Sequence, residues 1–114
     1  MSRFIKLTSG VIAALMIAGC VNKNITREDA GNLEKGMNIR VAEAVLQKPS
    51  QDAFLISDDA EKYLVKVYGL ASGDHSSRYF LVFDTADKLF YWGFRDEFTR
   101  ASDPRLNRIG QQLR

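Results

Sequence analysis

The sequence predicts an α+β domain: two short N-terminal helices packed on a three-stranded antiparallel β-meander, with a short amphipathic helix at the C-terminal end. Three observations carry this. Apolar residues recur at helical spacing between Thr26 and Pro49, give way to alternating and aromatic runs between Tyr63 and Phe94, and return to helical spacing after Asp103. The links between the β-like runs are shorter than the roughly dozen residues that a parallel crossover needs, so neighbouring strands are expected to be antiparallel. With 114 residues, 46% apolar and 26% charged, the chain has the make-up of one small globular domain.

The first 19 residues read as a signal peptide. Arg3 and Lys6 form a positive start, and Leu7 to Ala18 is an apolar run too short for the ~20 residues of a bilayer-spanning helix. The ending Ile17-Ala18-Gly19-Cys20 resembles the bacterial lipobox, with Ile in place of the usual Leu. That resemblance implies cleavage after Gly19 and a lipid-modified Cys20 as the first mature residue; an uncleaved anchor is the alternative. Cys20 is the only cysteine, so intrachain disulfides and Cys-rich zinc sites are excluded. The acyl chains implied by the lipobox would bury methylenes at ~0.8 kcal/mol each, enough to hold the domain at a membrane permanently. Val21 stands where an Asp would signal inner-membrane retention, so the lipoprotein sorting rule favours the periplasmic face of the outer membrane. Removing Arg3 and Lys6 brings the 16 basic residues level with the 14 acidic ones. A neutral mature chain lacks the positive surface on which nucleic-acid binding depends.

Residues 20–25 read as a lipidated polar tether, with the folded domain starting at Thr26. Thr26 with Asp29 resembles a capping box, and the helix it opens is expected to present Ala30 and Leu33 and to end at Gly36, a natural left-handed cap. Asn38 caps a second helix whose apolar stripe is Val41, Ala44 and Val45, widened by Ala42 and Leu46. Pro49 stops it, which leaves Lys48 at or past its end. Phe54-Leu55-Ile56 is then an apolar island in a polar stretch. Strands are expected at Tyr63–Tyr68, Tyr79–Phe83 and Leu89–Phe94, joined by Ala71–Ser77 and Asp84–Asp87.

Ten of the eleven aromatics after the leader lie between Tyr63 and Phe98, leaving only Phe54 outside. One face of so small a sheet need not bury so much aromatic surface. The rings can serve as core with edge protection, or some can form a partner-binding face, where Tyr and Trp are enriched.

Residues 95–114 carry five arginines against Asp96, Glu97 and Asp103. Asp103 as N-cap and Pro104 at the first helical position open a helix on which Leu106, Ile109 and Leu113 share a face. Three fates are open to it: docking on its own sheet, fraying at the chain end near Gly110, or contact with a partner or anionic lipid. In the last case Arg105, Arg108 and Arg114 are the candidate headgroup contacts.

The run Leu33-Glu34-Lys35-Gly36-Met37-Asn38, the helix through Val41, Val45 and Leu46, Lys48-Pro49, and the Tyr-rich strands with a Gly-containing polar loop resemble the SmpA/OmlA (BamE-like) family of small outer-membrane lipoproteins. The likeness runs from about Thr26 to Phe94, a span of 26–94 that leaves 95–114 as an extension. Asn38 stands where the family has a capping Thr, and Gln47 replaces its Gly. The resemblance implies an αα-βββ fold and a binding role in outer-membrane protein assembly or envelope integrity, with the β-barrel assembly machinery as the expected partner. Other small periplasmic binding and inhibitory domains share this design.

No catalytic pattern stands out. Asp74-His75-Ser76 holds the residue types of a hydrolase triad, but neighbours on one loop can rarely place His between Ser and Asp. Asp58-Asp59-Ala60-Glu61 lacks the oxygen spacing and glycine of a calcium loop, and the glycines never take nucleotide-binding spacing. The chain is therefore expected to be non-catalytic, without cofactor beyond the lipid on Cys20, and to act by contact. Candidate partner-binding residues are Lys35, Met37 and Asn38 at the helix joint and Tyr68, Tyr91 and Trp92 on the sheet. An interaction or inhibitor-like module of another envelope machine, such as a secretion or pilus complex, is the second functional class.

Overall fold

The computed structural model describes residues 24–72 and 75–114, so the leader, Gly19 and Cys20 lie outside the described residues. The element order is α1 (Arg27–Gly31), α2 (Ile39–Leu46), β1 (Asp52–Asp58), β2 (Glu61–Ser72), β3 (His75–Phe83), β4 (Leu89–Phe94), α3 (Arg95–Thr99) and α4 (Pro104–Gln112). The fold is α+β, with one antiparallel sheet in the order β1-β2-β3-β4.

The sheet has four strands rather than the three expected. β1 pairs with β2 from Asp52↔Val67 to Asp58↔Glu61, closed by a two-residue turn in which Asp59 takes a φ of 54°. Its signature is weak because it is an edge strand: Phe54 and Ile56 face one core, while Leu55 between them is 71% exposed. β2 and β3 also run further than expected, to Ser72 and from His75, so most of the segment 71–77 is strand.

Helices cover both faces of the sheet. Alternation along β2 and β3 sends Tyr68, Leu70, Tyr79, Leu81 and Phe83 towards α1 and α2, and Tyr63, Val65, Val67, Phe80 and Val82 towards α3 and α4. Central strands buried on both faces read as continuous apolar runs. The aromatic surplus follows from this. Tyr68, Tyr79, Phe83, Trp92 and Phe94 belong to the first core, and Tyr63, Phe80, Phe90, Tyr91 and Phe98 to the second. A β-bulge shifts the register between Val82 and Phe83, which lets Phe90 and Tyr91 turn to the same core.

In the first layer, the Thr26 hydroxyl accepts from Asp29 N at 3.0 Å, as the capping pattern predicts, but α1 ends at Gly31 and is capped by Asn32. Gly36 does adopt a left-handed φ of 87°, in a turn beyond the helix. The fold also starts one residue early. Ile25 is 1% exposed, and its N–H donates to Gly69 O at 2.8 Å, so it is core rather than tether. Asn38 caps α2 through Arg40 N at 2.9 Å. The buried line of α2 is Ala42 and Leu46, flanked by Ile39 and Val45; Val41 is 50% exposed and Ala44 is exposed too. Of the expected stripe, Ala42, Val45 and Leu46 thus pack on the core and Val41 and Ala44 face outwards. Gln47 ends the helix in the left-handed conformation, φ 61°, in which a glycine would be easier.

The second layer begins at once after β4. Gly110 of α4 lies so close to α3 that a Cβ there would come within 2.8 Å of Phe98 Cβ and 3.1 Å of Thr99 N. Asn107 donates through Nδ2 to Phe98 O, Thr99 O and Ala101 O at 3.0, 3.1 and 2.8 Å, satisfying carbonyls at the end of the short helix. Asp103 caps α4 through Arg105 N at 2.8 Å, and Leu106, Ile109 and Leu113 are buried, so α4 docks on its own sheet.

Candidate functional site

β4 is an edge strand, and half of its free edge is used. Gly36 N donates to Leu89 O at 2.7 Å, Leu89 N to Met37 O at 2.8 Å and Ile39 N to Asp87 O at 3.0 Å. The helix joint Lys35–Asn38 is thereby stitched beside the start of β4. At the other end, Phe94 N donates to Glu97 Oε1 at 2.9 Å. Leu89 and Phe94 both turn their N–H away from β3, and the bulge at Phe90 restores the alternation between them. The N–H and C=O of Trp92 therefore also point outwards, onto the stretch of edge between the joint and α3.

A groove follows this edge. One cavity of about 510 Å³ is lined by Lys35, Tyr79, Phe90, Tyr91, Trp92 and Glu97. A second, of about 300 Å³, includes Arg27, Ala30, Tyr79, Trp92, Phe94 and Glu97 in its lining. The two share Tyr79, Trp92 and Glu97, so the groove runs past Trp92 with Lys35 at one end and Arg27 at the other. Its aromatic wall is well braced. Tyr91 packs edge-on to Phe98 at 4.9 Å and lies 6.5 Å from Trp92, and Tyr79 meets Phe94 edge-on at 5.0 Å. Lys35 Nζ and the Arg105 guanidinium sit 5.6 and 5.4 Å from the centre of the Phe90 ring.

Gly93 makes the acidic point of the groove possible. With a φ of 153°, it leaves the space that Glu97 fills; a Cβ there would come within 2.8 Å of Oε1. Burial, reinforced by Glu97 and Tyr91, pushes the Tyr79 hydroxyl up to about 12, so it stays a protonated donor.

Of the residues expected to bind a partner, Lys35, Tyr91 and Trp92 come together in the groove, and Met37 and Asn38 lie beside it. Met37 is half-buried against the first core, and Asn38 is committed to capping α2 and bridging Lys88. Tyr68 does not belong to this surface. It is 0% exposed beneath the N-terminal helices, and its hydroxyl has no hydrogen-bond partner among the described residues. Burial, and then Glu43, pushes that hydroxyl up to about 12.

The three arginines considered for headgroup contact are exposed, and each meets a neighbour within the fold. Arg108 pairs with Asp58, the Arg105 guanidinium lies over the Phe90 ring, and that of Arg114 lies 5.6 Å from the Phe54 ring centre. Glu97, Tyr79 and Phe90 are groove residues the sequence reading missed. The Phe94-x-x-Glu97 spacing at a strand end was the available signal for Glu97, since a Glu at that position can reach back to the cap N–H. Asp74 of the Asp74-His75-Ser76 segment lies outside the described residues, and no helix among the described residues is long and apolar enough to cross a membrane. No family model, curated protein or solved structure matches the chain.

Proposed function

We propose that this chain is a non-catalytic lipoprotein, anchored through Cys20 to the periplasmic face of the outer membrane, that binds a protein of outer-membrane assembly or envelope integrity. The observation that carries the binding part is the open β4 edge at Trp92, set in a groove that gathers Lys35, Tyr91 and Trp92. Such an edge offers an incoming extended segment one backbone N–H and one C=O, and the rings around it offer the braced aromatic contacts that dominate interface energies. The anchoring part rests on the leader and the Ile17-Ala18-Gly19-Cys20 ending. The choice of the assembly machinery rests on the SmpA/OmlA-like residues between Thr26 and Phe94.

The lipid would hold the groove within a tether's length of the membrane, raising its effective concentration for partners there. The same groove would serve an interaction or inhibitor-like module of another envelope machine equally well. A pull-down with the full chain from solubilised envelopes separates the two. Recovery of barrel-assembly proteins is the expected result; recovery of a secretion or pilus complex in their absence supports the second class instead.

A further inference from the structure

We propose that a second site, the cavity walled by Arg27, Arg78, Arg95 and Arg114, binds a terminal phosphoryl group such as that of a phosphomonoester or pyrophosphate. It lies at the end of the sheet where β3 begins and β4 finishes, has a volume of about 510 Å³, and includes Phe80 and Phe94 in its lining. Four separate parts of the chain supply the arginines: the start of α1, β3, the start of α3 and the second residue after α4. Convergence of this kind is not the by-product of one basic run in the sequence.

The charges around the cavity do not cancel. Asp96 is the one carboxylate side chain in its lining, and an adjoining cavity of about 390 Å³, which shares Arg78 and Arg114, adds Asp52. The cavity that shares Arg27 adds Glu97, so four guanidinium groups face three carboxylate side chains and the balance stays positive. The acids also engage weakly: Arg78 NH2 stands 3.9 Å from Asp52 Oδ2, with both side chains about half exposed or more. Arg27 forms no ion pair among the described residues. Gathering like charges costs Coulomb energy that a bound anion would recover.

Several of the guanidinium groups are held in place without being neutralised. Arg95 Nε donates to Gly110 O at 3.1 Å, the Arg78 guanidinium lies 5.8 Å from the Phe80 ring centre, and that of Arg114 lies 5.6 Å from Phe54. Each keeps N–H groups for a ligand. Planar guanidinium forks match phosphoryl oxygens in pairs, so a terminal phosphoryl group, with three such oxygens, suits converging arginines better than a diester with two.

The test titrates the full chain in detergent with inorganic pyrophosphate, and separately with short-chain phosphatidic acid, at matched ionic strength. Arg27→Gln and Arg78→Gln, singly and combined, are the site variants. Both positions are exposed, and Arg40→Gln, at an exposed position of α2, matches each single variant in net charge. Pyrophosphate binding that weakens about tenfold for each guanidinium removed, and is unchanged by Arg40→Gln, supports the site with a soluble ligand. Binding of phosphatidic acid alone, with the same dependence, supports it with a lipid headgroup as the source. Guanidinium resonances of wild type give a check that needs no variant: those of Arg27, Arg78, Arg95 and Arg114 shift together while that of Arg40 stays. Binding of neither probe, equal loss in the Arg40 variant, or shifts spread over all arginines overturns the proposal.

Discussion

Arg108 and Asp58, fifty residues apart, form a two-pronged pair: Nε to Oδ1 at 2.6 Å and NH2 to Oδ2 at 3.0 Å. Asp58 is 8% exposed at the β1–β2 turn, and Gln112 Nε2 donates to neighbouring Ser57 O at 2.7 Å, so α4 is clamped to the hairpin at two points. The hydrogen bond from Arg108 holds the Asp58 carboxyl below its ordinary range, outweighing the opposing effect of burial. A carboxyl lowered by folding stabilises the fold above its unfolded pKa of about 3.9, and that stabilisation is lost as pH falls through the folded value. Wild type is expected to lose melting temperature in acid more steeply than Asp58→Asn, which should already melt lower at neutral pH. Parallel acid profiles for the two proteins would contradict this.

The C-terminal layer depends on a close approach and a three-carbonyl cap. Gly110→Ala must push against Phe98 Cβ and the Thr99 backbone, and overpacking of this kind costs about 1–3 kcal/mol. Asn107→Ala strips the carbonyls of Phe98, Thr99 and Ala101 of a shared donor, a loss of about 1–3 kcal/mol where they stay dry. Urea denaturation checks both; midpoints equal to wild type would show that α4 is not docked as described.

Tyr68 offers the opposite sign. Its buried hydroxyl has no partner among the described residues, so Tyr68→Phe keeps the ring and removes a desolvation cost, and a gain of about 1 kcal/mol is expected. A clear fall in melting temperature would mean that the hydroxyl has work to do.

Legibility followed local chemistry. The caps at Asn38 and Asp103, the proline at the first turn of α4 and the apolar line Leu106, Ile109 and Leu113 could be read because each depends on neighbours within a turn. β1 could not, since its alternation spans only Phe54 and Ile56 and its pairing is set by a two-residue turn. α3, five residues starting directly from a strand, carries no breaker to announce it. Coverage of the second sheet face was hidden for a different reason: an aromatic band looks alike whether a partner or the chain's own helix covers it. For the same reason Tyr68 could be mistaken for surface, whereas Tyr91 and Trp92, each half-buried against a core, line the groove beside the open edge.

Lipid attachment at Cys20 is expected from the lipobox-like ending. Cys20→Ser is expected to give an unprocessed or water-soluble chain, whereas wild type partitions into detergent and carries the mass of its acyl groups. Wild type that partitions into water with no added mass would remove the anchor from the account.

Site-specific photo-crosslinking in intact cells, with the probe at Lys35 in the groove or at Leu55 on the opposite sheet edge, tests the central claim most directly. Both side chains are exposed, so neither probe disturbs a core. The account predicts that the probe at position 35 captures a protein of the outer-membrane assembly machinery and that the probe at 55 does not. Capture of that machinery from 55 with none from 35, or capture of only a secretion or pilus complex from 35, would contradict it.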